Sequence, residues 1–193
     1  MKNLVFICCI ITFVGACIPF KNKDYSYFYL SARDSNCTNK DKITIFIKEV
    51  VVLRPYNRKE IFYSIRPYEI KNYIYNKWAA PLPDLIYNTF LSYNGCVTYS
   101  HNYKNAKYLL KLKVRRFLHK IDSKDKSHVE VSIDFYLTDT SSSNLILKKS
   151  YNMSEPCTEN TPFGAVKAFN NVISNILIDF EQKIISSLNR HQS

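Results

Sequence analysis

Apolar and polar residues alternate with a period of two through the second half of the chain, which is typical of strands with one face in water. The alternation is clearest over 107–118 and 129–137, and a third strand is predicted over 144–151. These segments follow one another closely, which favours an antiparallel meander. On its solvated face, we expect the lysines of one strand to pair with Glu130 or Asp134 of the next.

Five further strands are predicted in the first half of the chain, where aromatic and β-branched residues are frequent. The second of them ends in four consecutive apolar residues, 50–53, as in a central strand buried on both faces. In chain order the five predicted strands cover 25–31, 42–53, 61–65, 68–75 and 96–99.

Two segments have apolar residues at helical spacing. A short helix is predicted over 83–93, with Pro83 and Asp84 at its start and Gly95 as a left-handed cap beyond its end. A long amphipathic helix is predicted over 162–188. The whole pattern predicts one α+β domain, in which a mixed, largely antiparallel sheet is covered by both helices.

The N-terminal segment has the features of a lipoprotein signal peptide. After Lys2, residues 4–14 are apolar apart from one threonine, and these eleven residues are too few to span a bilayer. The small residues Gly15 and Ala16 then precede Cys17. We therefore predict cleavage between Ala16 and Cys17 and lipidation of Cys17. The alternative is an ordinary signal peptide with an incidental cysteine nearby.

Lipidation would divide the mature chain into a lipidated tether, 17–24, and one domain, 25–190. Stable attachment takes more than one acyl chain, which the diacylglyceryl and N-acyl groups of a bacterial lipoprotein provide. Ile18 stands where an aspartate would retain such a lipoprotein in the inner membrane. We therefore expect the periplasmic face of the outer membrane.

The chain of 193 residues has a net charge of +11 and stays basic once the signal peptide is removed. This charge suits an anionic membrane surface or an acidic protein, but the dispersed lysines favour an ordinary solvated surface. An exported lipoprotein is not expected to meet nucleic acid. Cys37, Cys96 and Cys157 remain outside the signal peptide and Cys17, and they allow at most one disulfide, in any of three pairings.

The sequence contains no motif that indicates catalysis. Nucleophile elbows, phosphate-binding loops and paired-histidine metal motifs are missing, and the four histidines lie in polar contexts. Glu130 and Asp134 share a strand face, where a carboxylate pair is usually solvated. We predict a non-enzymatic protein with no cofactor and no metal.

Residues 27–188 resemble the ABC-type transport auxiliary lipoprotein family, the group that includes paraquat-inducible protein C. The resemblance consists of short motifs in a fixed order. After the lipidation motif these are the aromatic strand at 27–30, the segments at 50–56, 57–63 and 75–82, and the strand start at 106–110.

The resemblance implies an accessory subunit of an MCE-type lipid transport system, whose core is an ABC ATPase, a permease and an MCE-type lipid-binding protein. It implies docking on that system and a homo-oligomeric ring. Arg58, Tyr63, Trp78 and Pro81 match the family motifs and become the candidate docking residues. Trp78 has an alternative interpretation as a core residue beneath the following helix. An alternative function is a secreted or membrane-anchored binding domain unrelated to transport.

Overall fold

The computed structural model describes residues 24–35, 37 and 43–191. In chain order the strands are β1 (Ser26–Phe28), β2 (Ile43–Val52), β3 (Glu60–Ser64), β4 (Lys71–Trp78), β5 (Val97–Ser100), β6 (Tyr108–Ile121), β7 (Ser127–Asp139) and β8 (Leu145–Pro156). The helices of the described part are α1 (Leu82–Ser92) and α2 (Pro162–His191). The predicted α+β class, with one short helix and one long C-terminal helix, is confirmed.

Strand β6 is the one to which both halves of the sheet attach. One of its edges pairs with β7 in antiparallel register, from Tyr108 opposite Asp139 to Ile121 opposite Ser127. Two strands share its other edge. The first half of β6 pairs with β2 and the end of β6 pairs with β3, both in parallel. The sheet therefore branches and curls, with β5 beyond β2, and with β4 and then β1 beyond β3.

The sheet is mixed, as predicted, and its two longest ladders form the antiparallel meander β6–β7–β8. The shorter pairings β1–β4, β2–β5, β2–β6 and β3–β6 are all parallel. Periodicity reports which face of a strand is buried and carries no information on the direction of its neighbour. The parallel pairings could therefore not be read from the alternation.

Three local predictions were wrong. Strand β4 begins later than predicted because a turn at 66–69 precedes it, so Trp78 ends a strand. The end of β2 is not buried on both faces, since Val51 and Leu53 are exposed. Gly95 is not a left-handed cap, because no described glycine has a positive φ and α1 is followed by Tyr93 in extended conformation.

The hydrophobic core lies between the inner face of the sheet and the two helices. Every buried apolar residue of the described part falls between Leu30 and Leu188, so this domain contains its own core. The apolar stripe of α2 is buried as predicted, and Phe169 and Phe180 on it stack against the β6 and β7 residues Phe117 and Phe135 at centroid distances of 4.1 and 4.3 Å. Such aromatic contacts orient the helix across the sheet.

Candidate functional site

The two strongest family-like segments meet at one end of β3 and β4. The backbone N–H of Trp78 donates to the carbonyl oxygen of Lys59 at 2.7 Å, and that of Leu82 donates to Arg58 at 3.2 Å. A third bond joins Ala79 to Phe28 of β1 at 2.9 Å. The motifs thus fasten the loop before β3 to the turn before α1. We call residues 54–59 and 79–81 the distal loops, because they lie opposite the end at which the chain enters β1.

The four candidate docking residues occupy three different environments. The side chain of Arg58 is 61% exposed, with Glu60 at 4.0 Å, and Pro81 is half-buried at the start of α1. Tyr63 lies towards the other end of β3, where its ring stacks on Tyr73 at 4.5 Å. The structure therefore brings Arg58 and Pro81 together and places Tyr63 apart from them. Contact of these three with a partner stays a prediction.

Trp78 lies in the core, as its alternative interpretation predicted. Its side chain is 2% exposed and packs edge-on against Phe117 and Phe169, at 6.0 and 5.9 Å. A partner at the surface cannot touch this ring. Trp78 instead supports the distal loops from beneath, since its own N–H makes one of the bonds that hold them together.

The edge formed by β1 and β4 carries a cluster of exposed aromatic residues. Because β1 runs parallel to β4, with Ser26 opposite Asn76, tyrosines of the two strands fall side by side. Tyr25 lies 5.8 Å from Tyr75 and 6.4 Å from Tyr27, and the Lys77 ammonium sits 5.2 Å from the centre of the Tyr25 ring. This arrangement fixes the chain at the point where it enters the domain.

Glu181 of α2 is the main buried acidic residue, at 3% exposure. Its carboxylate accepts hydrogen bonds from the hydroxyls of Ser35 (2.6 Å) and Tyr93 (3.1 Å) and from the backbone N–H of Val97 (2.8 Å). Burial raises the pKa of Tyr93 to about 12, so this phenol stays a donor at any physiological pH. These donors occupy the carboxylate oxygens. The carboxylate therefore links α2 to Ser35 and to the segment that contains Tyr93 and Val97.

A disulfide between Cys37 and Cys96 closes the same region. It decides among the three pairings that the sequence left open and leaves Cys157 as a free thiol. A surface cavity of about 350 Å³ lies beside the bond, lined in part by Asp34, Glu181 and Gln182. Both of its carboxylates already accept hydrogen bonds, Asp34 from the N–H of Asn94 and Glu181 from the donors above, so neither is a free group for acid–base chemistry.

The sequence reasoning missed Glu181, although a signal for it was present. Leu177, Ile184 and Leu188 recur at helical spacing, and Glu181 stands in the same stripe, four residues after Leu177. An acidic residue at an apolar stripe position requires donors on the elements packed against it. The position of those donors depended on the tertiary structure.

His119 is a buried histidine with a defined partner, which corrects the expectation of polar surroundings. It is fully buried, and its Nδ1 shares a hydrogen bond with the Tyr73 hydroxyl at 2.8 Å. Burial, with a contribution from the charge of His128, lowers the pKa of His119 to about 4. Burial also raises the pKa of the free thiol of Cys157. A thiol that stays protonated is a weak nucleophile.

The solvated face of the meander carries ion pairs formed by arginines instead of the expected lysines. Arg115 makes two hydrogen bonds to Asp134, at 2.8 and 3.2 Å, and Arg116 bonds to Glu130 at 2.5 Å. A register shift in β6 between Val114 and Arg116 allows both arginines to face water. Both carboxylates that sequence singled out are thereby paired.

Comparison with known proteins identifies a family and solved structures that this chain resembles. A family model described as ABC-type transport auxiliary lipoprotein component matches residues 30–178. The chain belongs to this family. In a crystal structure, protein XCC0632 from Xanthomonas campestris has the same fold, with 14% identity, a TM-score of 0.72, and coverage of 87% of this chain and 100% of its own. The crystal structure of an uncharacterized protein gives 15% identity and a TM-score of 0.68, covering 83% of this chain and 99% of its own. No curated protein matches by sequence.

The auxiliary lipoprotein family confirms the resemblance found in the sequence and indicates a membrane-anchored, non-cytoplasmic location. Ala16 and Cys17, the predicted cleavage and lipidation site, lie outside the described residues. Within the described part no helix is long and apolar enough to cross a membrane. Residues 24–35, 37 and 43–191 also contain no group of three or more histidine, cysteine or acidic side chains that could hold a metal ion.

Proposed function

We propose that this protein is a non-enzymatic accessory lipoprotein of an ABC/MCE-type intermembrane lipid transport system. Cys17 anchors it at the periplasmic face of the outer membrane, and the domain docks a partner of the transport system there. The observation that carries this proposal is the family match over residues 30–178, which covers most of the domain. The partners are the MCE-type lipid-binding protein and the ABC permease and ATPase.

The state of the titratable groups supports a docking role over catalysis. Glu181 is held by three donors, Asp134 and Glu130 are paired with arginines, and His119 is buried next to Tyr73. Each of these groups already has a structural contact. A lipid anchor would give the domain a high effective concentration at one membrane face, which is what an accessory subunit requires.

The distal loops are the proposed docking surface. Arg58 is exposed there beside Pro81, and Trp78 keeps the two loops in a fixed relation from the core. The chain enters β1 beside Asn76 and runs towards this surface, where the N–H of Ala79 donates to Phe28 at the end of β1. A domain anchored through residues 17–24 therefore presents Arg58 away from its own anchor. Docking through this surface is compatible with a homo-oligomeric ring, since it leaves the long sheet edges free.

Two experiments test the proposal. Metabolic palmitate labelling is expected for the native chain and is lost in Cys17→Ala. Affinity purification from gently solubilised envelopes is expected to recover an MCE-type protein together with the permease. Recovery of the labelled lipoprotein without these partners would contradict a transport role and favour a membrane-anchored binding domain unrelated to transport.

A matched pair of charge reversals tests the docking surface. Arg58→Glu is expected to reduce recovery of the partner, because an exposed guanidinium becomes a carboxylate. Lys111→Glu makes the same change of charge at an exposed position of β6 and is expected to leave recovery unchanged. Equal loss in both variants would indicate a general effect of net charge and not a docking site.

A further inference from the structure

The hairpin that joins β3 to β4 exposes a set of large apolar side chains. Residues 65–70, which we call the hairpin tip, include Ile65 at 50%, Tyr68 at 109% and Ile70 at 48% exposure. Ile74, further along β4, is 65% exposed. Single exposed apolar residues are ordinary, but a group of this size on one protruding segment marks a contact surface.

The hairpin tip is also ordered in a conformation that disfavours its central residue. The N–H of Glu69 donates to the carbonyl oxygen of Arg66 at 3.4 Å, and Pro67 and Tyr68 occupy the two central positions of the turn. Tyr68 has a φ of 64°, in the left-handed region where glycine or asparagine is usual. A fully exposed tyrosine at this position costs stability, and among the described residues it has no contact that compensates, which indicates that the ring itself serves a contact outside the domain.

The described chain approaches β1 from the side on which the hairpin tip lies. Because β1 is parallel to β4, moving backwards from Ser26 follows β4 backwards from Asn76 towards Lys71. The Tyr25 ring against Tyr75 shows that this alignment holds one residue upstream of β1. Followed backwards from β1, residues 25 and 24 therefore run towards the hairpin tip and away from the distal loops.

The tether is long enough for the anchor and the tip to reach one bilayer together. The tether begins beside Ile74 of β4. Ile70 is four residues from Ile74 along the hairpin, so the two residues are roughly 13 Å apart. Residues 17–23, fully extended, span about 24 Å. About 10 Å of tether remains when the acylated Cys17 and the tip lie at the same depth.

We propose that the hairpin tip inserts into the interfacial region of the bilayer that holds the Cys17 anchor, and so sets the orientation of the domain. The transfer of isoleucine side chains out of water is favourable, and tyrosine is well suited to the boundary between headgroups and acyl chains. This inference rests on the lipid anchor of the proposed function. With the tip in the bilayer, the distal loops at the other end of β3 and β4 face a partner.

The first experiment measures the contribution of the tip without the anchor. The chain from residue 17 onwards, with Cys17→Ser and made without the signal peptide, keeps the whole buried core. Its partition onto vesicles of phosphatidylethanolamine and phosphatidylglycerol is measured by co-sedimentation. The set I65S, Y68S and I70S is expected to reduce the partition coefficient roughly tenfold or more. The control Leu145→Ser removes an apolar side chain of similar exposure at the far end of the meander and is expected to have no effect.

A single substitution separates membrane contact from folding. Tyr68→Gly relieves the left-handed conformation, so its Tm is expected to equal or exceed that of the parent chain. Its vesicle partition is nevertheless expected to fall. A variant that binds vesicles as the parent chain does would overturn the proposal, as would an equal loss in Leu145→Ser.

Fluorescence of the acylated protein in vesicles reports the depth of the tip directly. Trp78 is buried and contributes a constant background. In Tyr68→Trp, the introduced indole is expected to shift its emission to shorter wavelength and to be quenched by lipids carrying a nitroxide near the headgroup. In Leu145→Trp it is expected to remain accessible to iodide in water.

The outcomes distinguish this inference from the proposed function. If the native chain is not labelled by palmitate, the lipid anchor is refuted. The vesicle partition of the tip, measured without the anchor, remains a valid test. A tip that stays in water while its substitution abolishes recovery of the partner would assign the tip to a protein contact and overturn insertion. A tip buried in the bilayer, with recovery of the partner intact in I65S, Y68S and I70S, is the result expected here.

Discussion

The backbone N–H of Val97 donates a hydrogen bond to Oε1 of Glu181 across 2.8 Å, and this bond joins the edge strand β5 to the helix α2. The same carboxylate accepts from Ser35 before β2 and from Tyr93 after α1. One side chain of α2 thus joins two regions that are far apart in sequence, one at Ser35 and the other at residues 93–97. Bonds to a buried charge are worth more than neutral ones, so their loss should be measurable.

Replacement of Glu181 is the first test of this arrangement. Glu181→Leu leaves the N–H of Val97 and two hydroxyls without an acceptor, and we expect the free energy of unfolding to fall by about 3 kcal/mol. Urea denaturation followed by circular dichroism measures the change. Gln182→Leu introduces the same side chain at the next, exposed position and should change stability by less than about 0.5 kcal/mol. Equal effects in the two variants would contradict a fastening role.

Gly95 is required by close approach and not by its backbone angle. A Cβ at this position would collide with Oε1 of Glu181 and lie 2.9 Å from the Ser35 hydroxyl oxygen. We expect Gly95→Ala to cost about 2 kcal/mol, because the carboxylate must move away from its donors. In a double-mutant cycle with Glu181→Leu, the cost of the alanine should become smaller. Additive effects would show that the two sites are independent.

The disulfide provides a prediction with an internal control. Cys37 and Cys96 are 59 residues apart, and a loop of this length is worth up to about 4 kcal/mol in chain entropy. Cys96→Ser should lower stability by an amount approaching this value, and the native chain should become sensitive to reducing agent. Cys157→Ser should behave like the native chain in both respects, since that thiol is free.

Two substitutions of Trp78 distinguish a role in the core from a role in docking. Because the ring is packed between Phe117 and Phe169, Trp78→Ala should cost about 3–5 kcal/mol. Trp78→Phe keeps an aromatic ring in the site, and we expect it to fold and to recover the transport partner from envelopes as the native chain does. Loss of the partner in a folded Trp78→Phe variant would contradict the assignment of this residue to the core.

The burial of His119 leads us to expect that the stability of the protein depends on pH. Burial lowers its pKa in the folded protein from an ordinary value of 6.5 to about 4, so the folded state holds the neutral imidazole. Between pH 6.5 and pH 4 the unfolded chain binds a proton that the folded chain does not. Stability therefore falls as the pH decreases through this window, by about 3 kcal/mol, and is constant in this respect above it.

The comparison that isolates this effect is His119→Gln, which keeps hydrogen-bonding groups but does not titrate. Urea unfolding at pH 7 and at pH 4.5 should show a smaller decrease in stability for this variant than for the native chain. A decrease of the same size in both proteins would assign the pH dependence to groups other than His119.

Local periodicity was sufficient for most of the secondary structure. The alternation over 107–118 and 129–137 identified β6 and β7, and helical spacing identified α2 to within a few residues. These segments are long, and each has a single dominant period. The start of β4 was misplaced because a turn containing Pro67 and Tyr68 is made of residues that are also frequent in strands.

The functional surfaces were less predictable because they depend on neighbours in space. Motif matching selected Trp78 without distinguishing a buried ring from an exposed one. It selected Arg58 and Pro81 without showing that backbone bonds bring their segments together. Lysines were expected opposite Glu130 and Asp134, and a register shift in β6 instead presented arginines.

The sequence by itself determined the family, the α+β class, the order of strands and helices and the expectation of a lipid anchor at Cys17. Each of these is encoded by local period, composition or motif order. Only the tertiary structure decided that Cys37 pairs with Cys96, that Glu181 is a shared acceptor, and that β1 runs parallel to β4. These relations arise from the parallel pairings and the packing of α2, which bring distant residues together and which the alternation of side chains within one strand does not encode.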